Sequence, residues 1–158
     1  MPLATGGTSA FLDLPNLVFH EAGHVVFSPF GRFMTVLGGS LLQILIPLIV
    51  AGAFVRERQL FNAAVCTWWA GQNMLDVAVY MADARALRLV LLGGKTGAEV
   101  EGHDWEYLLT ALGVIHRDRV IGLWTHYLGV LAMVASIGFA GWALINRRPE
   151  NPSGHEVP

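Results

Sequence analysis

The stretch FMTVLGGSLLQILIPLIVAGAFV, Phe33 to Val55, runs for 23 positions without a charge. At 1.5 Å per residue, a helix of that length covers roughly 35 Å, enough for the ~30 Å hydrocarbon core of a bilayer. Arg32 precedes it and Arg56-Glu57-Arg58 follows it, so the apolar run is bounded at both ends. Pro47 inside it predicts a kink. Leu60 to Ala82 forms a second apolar run, although it carries Gln72, Asn73 and Asp76, and Asp83 closes it with helix expected to continue towards Leu92. Val120 to Ile145 forms a third, interrupted by Thr125, His126 and Ser136. Trp105 to Ile115 has helical spacing of apolar residues but is too short to span. The expected fold is all-α: a polytopic helical membrane bundle with about three full spans, a buried helix ahead of the first span, and one short amphipathic helix.

Composition agrees with that reading. Of the 158 residues 54% are hydrophobic and only 14% charged, and the mean hydropathy is +0.51. A soluble domain carries about a quarter charged residues, so this chain lacks the groups to cover itself in water. It is expected to be a multi-pass integral membrane protein with the lipid bilayer as its surroundings. The net charge of −2 comes without a basic block, which argues against a nucleic-acid partner. A lone Cys66 excludes an internal disulfide and reads as packing. Met1 to Asp13 lacks a basic segment followed by an apolar core, so no cleavable signal is expected. Residues 1–12 read as a flexible start, 13–148 as a single helical membrane domain, and 149–158 as a disordered tail.

Upstream of the first span stands Phe19-His20-Glu21-Ala22-Gly23-His24-Val25, a His-Glu-x-x-His pentad that Asp13 or Asn16 would cap at its helix start. On a helix, His20 and His24 project from one face a turn apart, a spacing that lets two nitrogens grip one Zn²⁺. Zinc held there brings the pKa of a water down towards ~7, and Glu21 is placed to take its proton. The apolar neighbours Phe19, Val25, Val26 and Phe27 imply that this helix is buried.

A second set of polar residues lies on Leu60–Ala82 and just beyond it. Asn73, Asp76, Tyr80 and Asp83 fall within about 80° of arc on a 3.6-residue helix, one polar stripe on an apolar cylinder. Ionisable groups in a membrane helix normally face a partner or a wet cavity, and the pentad is the obvious partner. A catalytic zinc takes three protein ligands. Asp83 is the first choice for the third, with His103 in its polar loop as the competitor, and Asp104 is read as a group that orients an imidazole. Asn73 would hydrogen-bond the substrate backbone or the developing oxyanion. The plainer alternatives are helix-to-helix glue for Asn73 and Asp76, and for Asp83 an ion pair with Arg85 or a cap on the next segment. His116 and His155 read as surface residues, and His126 as bonding across helices.

Three segments together resemble the site-2 protease family of intramembrane zinc metalloproteases. His20-Glu21-Ala22-Gly23-His24 with the trailing Phe30-Gly31 is similar to that family's HExGH helix. Gly39-Ser40-Leu41-Leu42-Gln43 is similar to its Gly-x-x-x-Asn segment, with Gln43 in place of the asparagine. Asn73 followed by Asp83 is similar to its Asn-x-x-Pro-x-x-x-x-Asp-Gly segment, with Asp76 at the proline, Ala84 at the glycine and a gap two residues longer. The resemblance spans about residues 15–90. It implies His20 and His24 as ligands, Glu21 as base, and a membrane-embedded peptide bond as substrate.

The function expected from these features is a membrane-embedded zinc metalloendopeptidase acting on a membrane-protein or peptide substrate. The alternative is a membrane zinc protein with an assembly or binding role that keeps the metal site without proteolysis. A haem protein using His103, His116 or His126 would leave Glu21 without work.

Overall fold

A computed structural model describes the backbone of residues 10–91, 94–99 and 102–146 and, within these, side chains from Leu14 onward. The C-terminal segment expected to be disordered lies outside the described residues, as do most of residues 1–12 and His155. Five α-helices form the described fold: α1 (Ala10–Phe27), α2 (Arg32–Arg56), α3 (Leu60–Ala82), α4 (Asp104–Ala111) and α5 (Asp118–Ile145). Two helical stretches, Arg32–Arg56 and Ile115–Ile145, are long and apolar enough to cross a membrane. Helix α3 has the expected bounds, but Asn62, Gln72, Asn73 and Asp76 hold its hydropathy below that of the other two.

The pentad helix begins earlier than expected. Pro15 lies inside α1, not at its first turn, and Asn16 is no cap. Its fully buried amide is turned sideways into the bundle, donating to Gln72 Oε1 and Asp76 Oδ2 and accepting from Trp69 Nε1 at 2.8 Å. A 3-10 turn over Ser28–Phe30 ends α1, and Gly31, at φ +88°, reverses the chain. That backbone conformation costs glycine little and other residues much.

Helix α2 then returns antiparallel to α1. The two backbones nearly touch where they cross, since a Cβ on Gly23 would lie 2.1 Å from the Gly38 carbonyl oxygen. Helix α3 lies antiparallel to both α2 and α5. Its contact with α5 passes through Gly71 against Gly129 and through Ala78 and Ala82 against Gly122. Small residues at these crossings let the helix backbones approach closely.

Two expectations fail on α1 and after α3. Helix α1 is not buried all round: Leu14, Val18 and Val25 are 68%, 63% and 72% exposed, because it packs on one side only. Helix α3 does not continue to Leu92. Asp83 accepts from the backbone N–H groups of Arg88 and Leu89, Leu87 takes φ +53°, and the chain turns into a short bridge between Val90 and Thr96. This capping was one of the plainer alternatives for Asp83.

Helix α4 packs inward. Trp105, Leu108 and Leu109 join Val77, Tyr80, Met81, Ala84 and Leu91 in the apolar core, and Trp105 Nε1 donates to Ser40 Oγ on α2 at 3.1 Å. His103 caps α4, its Nδ1 accepting from the Glu106 N–H. The polar segment before α4 thus ends on a fixed point above α1 and α2.

Candidate metal centre

Helical spacing puts His20 and His24 on the face of α1 that meets α2, with ring centroids 4.9 Å apart. Each ring is oriented through Nδ1. His20 Nδ1 donates to Gln43 Oε1 at 3.2 Å, an orientation fixed because the Gln43 amide nitrogen donates to Asn73 Oδ1 at 3.2 Å. His24 Nδ1 donates to the Thr35 carbonyl at 2.9 Å. Each imidazole therefore keeps its Nε2 lone pair for something else.

That something faces Asp104. Its Oδ2 lies 3.1 Å from His20 Nε2 and 3.4 Å from His24 Nε2, and ligand atoms of the three residues all fall within 4.8 Å of one another. The edge of a tetrahedron around zinc, with bonds of ~2.0–2.1 Å, is about 3.3 Å, so these separations suit such an ion. The backbone leaves room as well. A Cβ on Gly39 would stand 2.7 Å from His24 Nε2 and 2.8 Å from His20 Nε2, so α2 offers a bare floor beneath both nitrogens. Two imidazoles with their other nitrogens already donating, plus a carboxylate, are a donor set that fits Zn²⁺.

The residue that joins the histidines is thus Asp104, read from the sequence as an orienting group, and neither Asp83 nor His103. Those two face each other instead, His103 Nε2 standing 3.6 Å from Asp83 Oδ2. That separation is too long for a hydrogen bond, and the nitrogen is buried without one. Burial pushes the His103 imidazole below its ordinary range, although Asp83 pulls the other way. The backbone N–H of Asp104 donates to Tyr80 Oη at 3.1 Å, a second tie that holds the carboxylate over the rings.

Asn73 is also placed differently. It is fully buried, and both ends of its amide are committed to Gln43, the nitrogen donating to the Gln43 carbonyl at 2.9 Å. It acts on His20 through Gln43, and its complete burial sets it apart from the open side of the centre where an oxyanion would form. Gln43, quoted from the sequence only as a variant of a motif, is the residue that touches the ring. Asp76 belongs to the Asn16–Gln72 network between α1 and α3. His126 lies exposed beside Tyr127 on α5, and His116 is exposed as expected. Glu21 is exposed on the flank of α1 next to His20.

No family model matches the chain, and no curated protein or solved structure matches it.

Proposed function

We propose that the chain is an integral-membrane zinc metalloendopeptidase that hydrolyses a peptide bond of a membrane-protein or peptide substrate within or beside the bilayer. One observation carries the reading: both imidazoles spend Nδ1 on fixed oxygens, so two lone pairs and a carboxylate are aimed at one another. Three acceptors at such range repel unless a cation or added protons intervene. One added proton, shared between His20 Nε2 and Asp104, would leave the His24 lone pair still facing the carboxylate at 3.4 Å, whereas one divalent ion meets all three donors. His20, His24 and Asp104 would hold Zn²⁺, whose chemistry is to polarise a carbonyl and acidify water. Glu21, on the open flank of α1, takes a proton from the attacking water and delivers it to the leaving amine. Gln43, with Asn73 behind it, keeps His20 turned, and the Thr35 carbonyl does the same for His24.

The multi-pass arrangement is part of the proposal. Helix α3 lies side by side with α2 and α5, so a bilayer crossed by those two is crossed by α3 also. Its polar residues then face α1 and α2, not lipid.

A second reading, a membrane zinc protein with no hydrolysis, is favoured by Asn73. With its amide buried against Gln43, no side chain is assigned to the oxyanion. Metal analysis and turnover separate the two. Wild-type protein should carry one zinc per chain and cleave members of a quenched-fluorescent peptide library in detergent. Glu21→Gln should keep the metal and lose the cleavage, and cleavage unchanged in that variant would end the peptidase reading. Asp104→Ala should lose zinc while Asp83→Ala retains it. Wild-type protein without zinc would end both readings.

A further inference from the structure

Asp104 borders more than the histidines. It also lines a cleft of about 500 Å³ between the start of α2 and α4, together with Arg32, Val36, Glu106, Tyr107 and Thr110. The guanidinium of Arg32 lies 4.6 Å from the centroid of the Tyr107 ring. The cation thus rests over the face of an aromatic ring, an attraction that holds it at the mouth of the cleft it lines. Among the described residues no carboxylate comes within ion-pair distance of it. A guanidinium held at a ring face with no carboxylate beside it matches a planar acceptor with two oxygens, which arginine takes bidentately.

The helix supplies a ruler. Arg32 precedes Gly39, the floor of the metal centre, by seven residues, roughly 10 Å along the α2 axis. An extended peptide advances about 3.3 Å per residue, so a group held at Arg32 sits about three residues from a bond held at the centre. Glu106 stands on the same cleft and repels a carboxylate, which limits the site to one such group at the Arg32 end.

We infer that the α2–α4 cleft receives the substrate chain and that Arg32 selects a carboxylate about three residues from the scissile bond. This carboxylate is an acidic side chain or the chain terminus. The inference rests on the metallopeptidase reading and adds a substrate class to it.

Fluorescent peptide hydroxamates, anchored on the metal by the hydroxamate, test it with purified zinc-loaded protein in detergent. One series ends in a carboxamide and carries Asp, Asn or Lys as its third residue. A companion pair places a free terminal carboxylate or a carboxamide at that distance. Asp should bind about tenfold more tightly than Asn, the size expected for one charged hydrogen-bonding pair, and Lys least well. Arg32→Glu should reverse the order and Arg32→Gln should flatten it, both with zinc content unchanged, while Glu106→Gln should tighten binding of the Asp peptide. Tighter binding of the free terminus than of Asp assigns the pocket to chain ends, and the converse assigns it to side chains. Equal binding of Asp, Asn and Lys, or an Asp preference that survives Arg32→Glu, overturns the inference and leaves the metal reading standing. Failure of every hydroxamate to bind, with no zinc in the protein, overturns both.

Discussion

A methyl group on Gly39 would occupy the space within 2.8 Å of both Nε2 atoms, which is where a shared cation has to be. Gly39→Ala should therefore empty the centre. The roughly 0.5–1 kcal/mol that a helix gains from alanine over glycine is opposed by the displacement of the rings and by the loss of a stabilising ion, so zinc content rather than thermal stability is the readout. Full zinc content in that variant would show that the ion, if held, is held elsewhere. Gln43→Ala removes the acceptor that turns His20 and should weaken zinc binding by about 10- to 100-fold, the usual cost of losing an orienting partner. Asn73→Ala acts one bond further away and should cost less; a competition titration against a chelator reads both. At this scale the sequence disclosed that His20 and His24 share one face, because four-residue spacing is local. It hid Asp104, which lies eighty residues beyond His24 and reaches the rings only through a turn, a cap and a docked helix. A sign was present in His103-Asp104-Trp105, where a capping residue precedes an acid at a helix start. Asp83 was misassigned because a polar stripe gives the direction of a side chain but not the end of its helix.

Helix α1 meets α2 through Gly23, the one pentad residue without a side chain. Gly23→Ala would drive a Cβ to 2.1 Å from the Gly38 carbonyl oxygen, and backbone cannot yield as a flexible side chain does. The helices must part, at a cost of about 1–3 kcal/mol or more, and both histidines move with α1. Thermal unfolding in detergent should shift down and zinc affinity should fall together. A variant that loses neither would mean the crossing is looser than its geometry states. Elements were the more legible level. The bounds of α3 match the expected run, and those of α2 and α5 differ from it by a residue or two, since an uninterrupted apolar stretch between charges has little else to be. The start of α1 was not legible, because Pro15 reads as a first-turn residue while tertiary bonds to Asn16 settle the matter. The segment after Ala82 was not legible either, because a leucine at positive φ follows from what Asp83 holds and not from any propensity of its own.

The outer side of α5 is a long apolar surface, where Trp124, Leu131, Ile137 and Ile145 are 65%, 64%, 63% and 85% exposed. A soluble monomer rarely leaves so long an apolar face uncovered, and exposed aromatic pairs sit towards its two ends, Trp124 with Tyr127 and Phe139 with Trp142. Tryptophan and tyrosine near the ends of an apolar helix suit the two boundaries of a bilayer. The environment of this face decides the sign of a simple experiment. Leu131→Lys lies mid-helix and away from the metal centre. If water bathes α5, the change removes an exposed apolar group, should alter stability by no more than about 0.5 kcal/mol, and should improve solubility. If lipid bathes it, a lysine near the bilayer centre costs about 2.5–3.5 kcal/mol, and the variant should be lost from the membrane fraction or degraded. Ser136→Lys, set against the bundle on the same helix and buried, is disruptive in either medium and serves as the control for misfolding. A soluble, well-folded Leu131→Lys protein recovered without detergent would remove the bilayer from the proposed function, because the substrate would then have to come to the centre through water.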